Sequence, residues 1–529
     1  MENEKEASFY KWLALSVVVI GTFMSILDSS IVNIAIPKMM AVYGVSIDQI
    51  NWVLTSYMLT LGAVIPLTGY LGDTFGTKKI YIFALALFTI GSFLCGFAWN
   101  VTSMIIARVI QGIGGGMIMP VGMSIIYEIF PLEKRGMALG FWGIAAMAAP
   151  AIGPTFGGYI IQYLDWRLIF YINVPIGIVG VIFAGLILKD RPLNLGKKLD
   201  YIGVITSVIG MVSLLYVLGE GSSIDWSDVK YPILIVLGIF SLVLFVINEL
   251  TIDEPLLDLR VLKIFPFSLS IIISAVLNMA LYGGIMLIPL YLQNIRGYSA
   301  MQTGMLMFPS AIVTGIMMPI SGKLFDKIGA RPLVISGVGI LAYVSYELSK
   351  ITLTTDPNTI KWLLMARGFG IGLAMMPSST EGMNQVPKQL VGRASALSNT
   401  IRQVAGSLSV TILTTILKNR QTSNYYGLAE RFTSFNPFNT DYLKGLQGYF
   451  MGTGMPQGSA QGVAQTVAYG QIQKMAFLYA MNDTLLVTVF AAIVVIPLGM
   501  LIKRKKSGKV VGNDKVLTKG DVSGEPATN

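Results

Sequence analysis

Two charged residues lie inside apolar stretches of the sequence, where a charge can do chemical work. Asp28 lies well inside the first apolar stretch, and Arg108 lies a few residues into the fourth. Burial favours the protonated form of a carboxyl group, so such a group can load and release a proton near neutral pH and can also attract a cation. A buried guanidinium needs a carboxylate, carbonyls or water, and it can lower the proton affinity of a nearby carboxyl group. We therefore expect Asp28 and Arg108 to take part in proton coupling.

Both residues also have a purely structural interpretation. Asp28 could be hydrogen-bonded between helices with no further role, and Arg108 could organise backbone carbonyls. Gln111 lies almost one helical turn after Arg108 and can extend the same polar face. Asn33 and Gln111 are predicted to line a polar cavity.

The chain contains no histidine and one cysteine, Cys95. The lack of histidine excludes a histidine metal site, a Ser-His-Asp hydrolase and a histidine proton relay, so carboxylates must carry any protons. Cys95 is predicted to be a buried, inert thiol. The sequence also lacks the G-x-x-x-x-G-K-[ST] loop of an ATP-driven pump. We expect no enzyme activity, metal or cofactor, and the proton gradient as the source of energy.

One glycine- and aspartate-containing segment occurs twice. Residues 69–79 and 322–331 share the pattern G-x-L-x-D-x-x-G-x-[KR]. The glycines suit a tight turn, and the aspartate can accept hydrogen bonds from amides or from a basic residue of a neighbouring helix. One copy could be an ordinary polar loop, but two matched copies indicate a latch that breaks and re-forms. The predicted latch residues are Gly69, Asp73, Gly76, Lys78, Lys79 and Asp326.

A third motif lies within the fifth apolar stretch and contains Gly153, Pro154, Gly157 and Gly158. Proline removes a helix hydrogen bond, and glycines let another backbone come close. The motif predicts a kinked, tightly packed helix that can move. Packing alone is the simpler interpretation.

The apolar residues that must position these groups fall into about fourteen stretches. Of the 529 residues, 54% are hydrophobic and 12% are charged, whereas roughly a quarter are charged in a soluble domain. Each stretch can cross a hydrocarbon core of ~30 Å as a helix, and the alternating pattern of an outer-membrane barrel is absent. We predict an all-α membrane protein with about 14 transmembrane helices. The predicted spans are residues 12–36, 50–70, 80–98, 102–127, 137–162, 168–188, 200–219, 231–250, 267–291, 302–322, 332–350, 361–380, 392–417 and 476–502.

Basic residues collect on one side of the predicted membrane, which we call the basic side. The positive-inside rule places this side in the cytoplasm, and an even number of spans places both termini there. We expect a multi-pass protein of the bacterial cytoplasmic (inner) membrane. The net charge of +10 follows from this topology, and no nucleic-acid partner is expected.

Two polar segments lie outside the predicted spans. Residues 419–475 fall on the side opposite the basic side and are rich in Gly, Gln, Asn and Ser. They could form a surface for a partner, although a mobile connection is the simpler interpretation. Residues 507–529 are predicted to be a disordered cytoplasmic tail.

The repeat predicts the domain organisation. Residues 107–120 are echoed by residues 366–377, in addition to the two aspartate-containing segments. The copies lie about 255 residues apart, further than six helices require, so an extra helix pair separates two parallel six-helix halves. The predicted units are an N-terminal bundle at 1–190, an inserted helix pair with linkers at 191–262, a C-terminal bundle at 263–506 with its outer segment at 419–475, and the tail at 507–529.

These motifs resemble the signatures of the major facilitator superfamily, and within it the fourteen-helix drug:proton antiporters of the EmrB and QacA type. The four signatures lie at residues 27–37, 69–79, 108–116 and 153–158. Ser30 replaces the usual threonine of the first signature, and Thr74 and Thr77 stand where arginines are common in the second. The resemblance covers nearly the whole chain.

The resemblance implies a proton-coupled multidrug exporter that works by alternating access. It assigns proton coupling to Asp28 and Arg108, latching to Asp73 and export directionality to residues 153–158. The expected substrates are small lipophilic compounds, often cationic, and the EmrB type works with a periplasmic adaptor and an outer-membrane channel. Export of an endogenous metabolite, fatty acid or siderophore, and nutrient import by the same fold, remain alternatives.

Overall fold

The computed structural model describes residues 2–189, 200–221, 224–432 and 437–502, and every regular element in these ranges is a helix. The predicted all-α fold is therefore confirmed. The predicted tail at 507–529 lies outside the described residues, as does the first part of the linker that begins at residue 191.

Eight helices form the first part of the chain. They are α1 Glu2–Tyr43, α2 Ile47–Val64, α3 Thr68–Phe75, α4 Thr77–Phe97, α5 Val101–Ile129, α6 Arg135–Tyr163, α7 Leu168–Tyr171 and α8 Asn173–Ile187. A short 3-10 turn joins α2 to α3, and these two helices form one continuous candidate span. Helices α7 and α8 form another.

The inserted pair and the second bundle follow. The helices are α9 Tyr201–Glu220, α10 Lys230–Thr251, α11 Phe265–Leu290, α12 Ala300–Ile328, α13 Ala330–Leu348, α14 Pro357–Asn384, α15 Val391–Arg431, α16 Pro437–Gly452 and α17 Gln457–Met500. Eleven described segments are long and apolar enough to cross a membrane, and the bent helix α6 makes a twelfth. Helices α13 and α14 are also long and pack inside the bundle. The set is compatible with the predicted fourteen spans.

Several helices begin at residues whose side chains cap them. Ser46, Asn100 and Ser299 each accept a hydrogen bond from the backbone N–H three residues later, and that later side chain accepts a bond from the cap's own N–H. These reciprocal bonds satisfy amides that the helix itself leaves unpaired. The caps therefore fix where each helix starts near the membrane boundary.

The helices pack into two bundles that meet along two seams. Helix α6 packs on α12 at the first seam, and α3 and α5 pack on α15 at the second. The inserted helices α9 and α10 pack on each other, and α9 also contacts α2 and α15. The inserted pair therefore lies over the second seam.

The repeated segment at residues 69–79 is mostly helical. Gly69 lies inside α3, where an added Cβ would come within 3.1 Å of the Cα of Arg393 on α15. Gly76 makes the expected turn with φ of 91°, and Gly329 does the same in the second copy with φ of 81°. The prediction of a tight turn is therefore wrong for Gly69, because close approach of two helices also requires glycine.

Residues 419–475 are largely helical where they are described. Helix α15 continues to Arg431, α16 follows, and α17 begins at Gln457. The expectation of a mobile connection therefore missed three stretches of helix. A polar helix that buries little apolar surface has a composition close to that of a loop.

Helix α6 bends at its glycine- and proline-containing motif. The segments Leu132–Pro150 and Thr155–Tyr163 meet at an angle of 41°, and Pro154 lies between them. Sharp bends in helices are commonly found at prolines, so a bend at this motif is what the sequence predicts. The predicted kink is present.

The glycines of the same motif bring α6 onto α1. A Cβ on Gly153 would come within 2.5 Å of Ser30 Oγ, and one on Gly157 would come within 2.5 Å of Ile31 Cγ1. A Cβ on Gly158 would meet no atom within 4 Å. Gly153 and Gly157 therefore serve close packing, and Gly158 does not.

A second glycine contact holds the first seam together. A Cβ on Gly136 of α6 would lie 2.6 Å from the carbonyl oxygen of Gly322 on α12, and a Cβ on Gly322 would overlap the carbonyl of Gly136. The two helix backbones touch directly here. Neither helix can carry a side chain at this point without moving apart.

We predict that Gly322→Ala destabilises the closed seam, because the added methyl group must displace the backbone of α6. Overpacking of this kind costs about 1–3 kcal/mol. Thermal unfolding of the purified protein, followed by intrinsic fluorescence, should show a lower midpoint. Gly339→Ala is the matched control, since a Cβ there meets nothing within 4 Å. An unchanged midpoint for Gly322→Ala would contradict the prediction.

Candidate functional site

A cluster of polar side chains surrounds Asp28 inside the first bundle. Asp28 lies on α1 and is completely buried, as are Arg108 and Gln111 on α5. The Arg108 Nη1 atom donates to Asp28 Oδ2 at 2.6 Å. Gln111 Nε2 and Asn173 Nδ2 donate to Asp28 Oδ1 at 2.9 and 3.0 Å. Asp28 and Arg108 are therefore in direct contact, and helices α1, α5 and α8 bring the cluster together; their role in proton coupling stays a prediction.

The guanidinium of Arg108 has acceptors besides Asp28. Its Nε atom donates to the carbonyl of Val53 on α2 at 3.1 Å, and Nη1 also donates to Gln111 Oε1 at 2.6 Å. The guanidinium carbon of Arg108, Cζ, lies 4.0 Å from the centre of the Tyr57 ring. These contacts satisfy a permanent charge that would otherwise be costly in lipid. Both the coupling and the carbonyl-binding interpretations of Arg108 therefore have a geometric basis.

Ser92 and Asn173 complete the cluster and were not predicted. Ser92 Oγ lies 2.5 Å from Gln111 Nε2 and 3.2 Å from Asn173 Nδ2. The Asn173 Oδ1 atom is buried and has no hydrogen-bond partner among the described residues. Asn173 is a lone amide in an otherwise apolar span, which is the signal that would have found it.

The cluster can respond chemically to a proton on Asp28. As a carboxylate, Asp28 only accepts hydrogen bonds; as a carboxylic acid, it also donates one. Protonation would cancel its charge opposite Arg108, and the unpaired oxygen of Asn173 offers an acceptor for the new O–H group. Gain or loss of one proton would therefore reorganise contacts among α1, α5 and α8.

Asn33 does not join this cluster. Its side chain is exposed, and its Nδ2 atom donates to the carbonyl of Ser29 one turn earlier on α1 at 3.1 Å. Cys95 is buried, as expected, and its thiol lies 3.6 Å from Gln111 Oε1. Of the two residues predicted to line a polar cavity, Gln111 contacts Asp28, whereas Asn33 is exposed away from this cluster.

The second bundle has a buried arginine without a matching acid. Arg367 on α14 occupies the place in the repeat that Arg108 has in the first bundle. It donates to the carbonyls of Ala280 and Leu281 on α11, and its guanidinium fills the space where a Cβ on Gly284 would lie. Among the described residues, no carboxylate forms an ion pair with it. The bundles therefore share an arginine, but only the first pairs it with an aspartate.

The first copy of the latch segment makes an ion pair across the second seam. Asp73 Oδ2 lies 3.3 Å from Arg393 Nε on α15. Asp258, in the connection between α10 and α11, lies 3.9 Å from Arg393 Nη1. Arg393 is 8% exposed, so water screens the pairs only partly. The latch thus joins the first bundle, the second bundle and the linker of the inserted pair.

The linker is held in place beside this ion pair. The buried Glu249 at the end of α10 accepts a hydrogen bond from the backbone N–H of Leu257 at 2.9 Å. Asp258 follows directly and caps the turn at Arg260. The hydrogen bonds of its own segment therefore hold Asp258 in position, independently of its contact with Arg393.

The second latch segment lies against the first seam. Asp326 faces the start of α6, where a Cβ on Gly136 would lie 2.8 Å from its Oδ1 atom. Lys78 is partly buried and Lys79 is exposed. Arg135 donates to Asn384 Oδ1 in the other bundle at 3.2 Å. Each aspartate thus lies opposite the start of a helix from the other half, which closes both seams on the basic side.

Arg393 was missed by sequence reasoning, although a signal was present. Gly392-Arg393 begins α15 much as Arg135-Gly136 begins α6, so the repeat extends to the residues that receive each latch segment. Asp258 carried no comparable signal, because the inserted pair has no counterpart in the repeat. Among the residues that the structure describes, no group of three or more Cys, Asp or Glu side chains could hold a metal ion.

We predict that Arg393→Gln opens the second seam on the basic side, because Asp73 and Asp258 both lose their cation. Ala396 is buried beside Gly69, so a cysteine placed there should react several-fold faster with a maleimide in this variant. The measurement uses protein in nanodiscs, where both faces are accessible and Cys95 is buried. Lys230→Gln is the control, since it removes an exposed cation that contacts only its neighbours Asp228 and Tyr231 among the described residues. Equal labelling of Arg393→Gln and the control would refute the latch.

Comparison with known proteins agrees with this arrangement. The model of the Major Facilitator Superfamily matches residues 18–410. The chain is 40% identical over 479 residues to the uncharacterized MFS-type transporter YhcA of Bacillus subtilis, covering 90% of each chain. It is 33% identical over 452 residues to the multidrug export protein EmrB of Escherichia coli K12, covering 85% of this chain and 88% of EmrB. It is 31% identical over 417 residues to the lincomycin resistance protein LmrB of Bacillus subtilis, covering 78% and 87%.

Solved structures support the same fold. The proton:xylose symporter XylE matches with a TM-score of 0.56 at 13% identity, covering 94% of this chain and 100% of XylE. The human organic anion transporter MFSD10 matches with a TM-score of 0.56 at 12% identity, covering 91% and 99%. The family model and the relatives above 30% identity decide the family: this chain belongs to the Major Facilitator Superfamily of membrane transporters.

Proposed function

We propose that this transporter is a proton-coupled multidrug exporter that moves small lipophilic compounds out of the bacterial cytoplasm. The single observation that carries the proposal is the buried pair of Asp28 and Arg108 with its amide partners. Similarity to the exporters EmrB and LmrB supports the substrate class. Export of an endogenous metabolite and nutrient import are the rival functions.

The energetics of the pair suit a proton-driven step. Removal of one partner from a buried ion pair costs about 3–5 kcal/mol, because the other charge is left unpaired. Moving one charge through the membrane supplies about 2.3 kcal/mol per 100 mV of potential. Protonation of Asp28 is therefore an event of the right size to bias one packing of α1, α5 and α8 over another.

The latch supplies the second requirement of alternating access. The ion pairs of Arg393 and the glycine contact between α6 and α12 hold the basic side closed. Opening that side must break both. We propose that Asp28 becomes protonated in one state and deprotonated in the other, and that α6, bent at Pro154 and packed on α1 through Gly153, transmits the change.

We place the protein in the bacterial cytoplasmic membrane with both termini in the cytoplasm. The concentration of Lys and Arg on the basic side supports this orientation. A periplasmic adaptor with an outer-membrane channel is one mode of operation, and independent export is the other. Protons, the lipid bilayer and the substrate are the required partners, with no bound cofactor.

We predict that Asp28→Asn abolishes coupling between substrate and protons. Everted vesicles that carry the wild type are energised to an acid interior, and ethidium or lincomycin is then added. The wild type should dissipate the gradient as substrate enters, whereas the variant should leave it unchanged, because an amide cannot release a proton. Asp228→Asn, at an exposed residue, is the matched control.

The outcome must be separated from misfolding. The variant leaves Arg108 unpaired, so its amount in the membrane and its unfolding midpoint are measured alongside transport. Asp28→Glu keeps the carboxyl group and should retain part of the coupling. Equal proton release by wild type and a folded Asp28→Asn variant would rule out Asp28 as the coupling site.

A further inference from the structure

Arg402 differs from the other arginines buried in the helix bundles. Arg108 pairs with Asp28, and Arg367 donates to two carbonyls of α11. The Nε atom of Arg402 on α15 is buried, yet it has no hydrogen-bond partner anywhere in the described chain. A guanidinium stays charged in proteins, and an unpaired charge in this setting is costly unless a ligand or a cavity receives it. Arg402 as a whole is partly buried, and the described residues offer its buried Nε–H no acceptor.

Arg402 lines a cavity inside the second bundle. The cavity has a volume of about 20 Å³ and is bounded by α11, α13, α14 and α15. Ser274, Asn278 and Ser379 contribute polar groups, and no lining residue is acidic. The rest of the wall is apolar, formed by Leu277, Leu281, Leu341, Ile371, Ala374, Met375 and Met376. A cavity of this size holds a group about as large as one water molecule.

The first bundle contributes a second unsatisfied group beside this cavity. The hydroxyl of Tyr127 on α5 is buried and has no hydrogen-bond partner among the residues described. Tyr127 and Tyr282 lie close enough to Arg402 to interact with it electrostatically. Tyr127 and Tyr282 are thus the ionisable groups that influence Arg402 in the described part of the chain, and no acidic residue lines its cavity. A cation, a hydroxyl donor and an amide converge here, and all of them suit an anion.

The position of the cavity relates it to the latch. Arg402 lies nine residues beyond Arg393 on α15, which is about 14 Å deeper at the rise of an α-helix. The ion pairs of Arg393 close the second seam on the basic side. A molecule that entered from the basic side after those pairs break would therefore reach Arg402 and Tyr127 between the two bundles.

We propose that Arg402 binds the carboxylate head group of an amphipathic substrate, with Tyr127 and Asn278 as further hydrogen-bond donors and the leucine and methionine side chains against its apolar body. The inference rests on the proposed export function and adds lipophilic anions to its substrates. In the closed form the cavity is about as large as one water molecule, so it must widen to admit the head group. The apolar body of the substrate requires the seam to open.

Binding of two probes with equal apolar chains and opposite charge tests this assignment. Wild-type protein in nanodiscs of zwitterionic phosphatidylcholine is titrated with octanoate and with octyltrimethylammonium, and empty discs give the background. The wild type should bind octanoate more tightly. Arg402→Gln should lose at least tenfold in affinity for octanoate and keep its affinity for the cation, and Arg402→Lys should retain part of the octanoate binding.

Three outcomes would overturn the assignment. The first is equal binding of both probes by the wild type, and the second is an unchanged octanoate affinity in Arg402→Gln. The third is loss of octanoate binding when phosphatidylglycerol replaces the zwitterionic lipid, because a lipid head group would then be the occupant. If Arg402→Gln does not fold, the assignment is tested with Tyr127→Phe and with the comparison of the two probes on the wild type. Binding needs no proton gradient, so the two tests are independent. The binding assay can contradict the anion site while the Asp28→Asn test supports proton coupling, or the binding assay can support the site while the Asp28→Asn test fails.

Discussion

The buried pair of Asp28 and Arg108 is the constraint on which the first bundle depends. Two full charges at this depth are tolerated only because the carboxylate receives three donors and the guanidinium also reaches a carbonyl and an aromatic ring. Those partners come from α1, α2, α5 and α8, so the pair sets the relative positions of four helices. The close packing of α4 and α5 through glycines follows, because α5 must approach its neighbours closely enough to present Arg108 and Gln111.

The two halves share an architecture but differ in the partners of their buried arginines. Each half carries an aspartate near the end of a helix and presents it to the start of a helix in the other half. Each half also buries an arginine at the matching place in the fourth helix of its repeat. The difference lies in the acid, because Arg108 meets Asp28 whereas Arg367 meets only carbonyls. The two halves are therefore similar in frame, but among the described residues only the first pairs its buried arginine with an acid.

The sequence was sufficient to predict the all-α membrane fold and to single out Asp28 and Arg108, for identifiable reasons. Spans are recognised because lipid demands long apolar helices, and Asp28 and Arg108 stand out because charges are rare inside them. The sequence could not predict that Asn33 faces away from Asp28, since rotation of α1 is set by packing on α6 and α8. Nor could it place Asp258 on Arg393 or reveal that Arg402 lacks an acceptor, because those facts depend on contacts between residues far apart in the chain. The helices within residues 419–475 were hidden by their polar composition.

Because Asp258 contacts Arg393, the linker of the inserted helix pair takes part in the contact between the two bundles. If only the two bundles were in contact, the free-energy difference between their open and closed arrangements would depend only on the groups that they present to each other. Here a third segment, anchored to α10 through Glu249 and Leu257, shares the same cation. The free-energy difference between the open and closed states thus has a contribution from outside both bundles. A change in this linker can therefore alter that contribution while leaving the residues around Asp28 and Arg402 untouched.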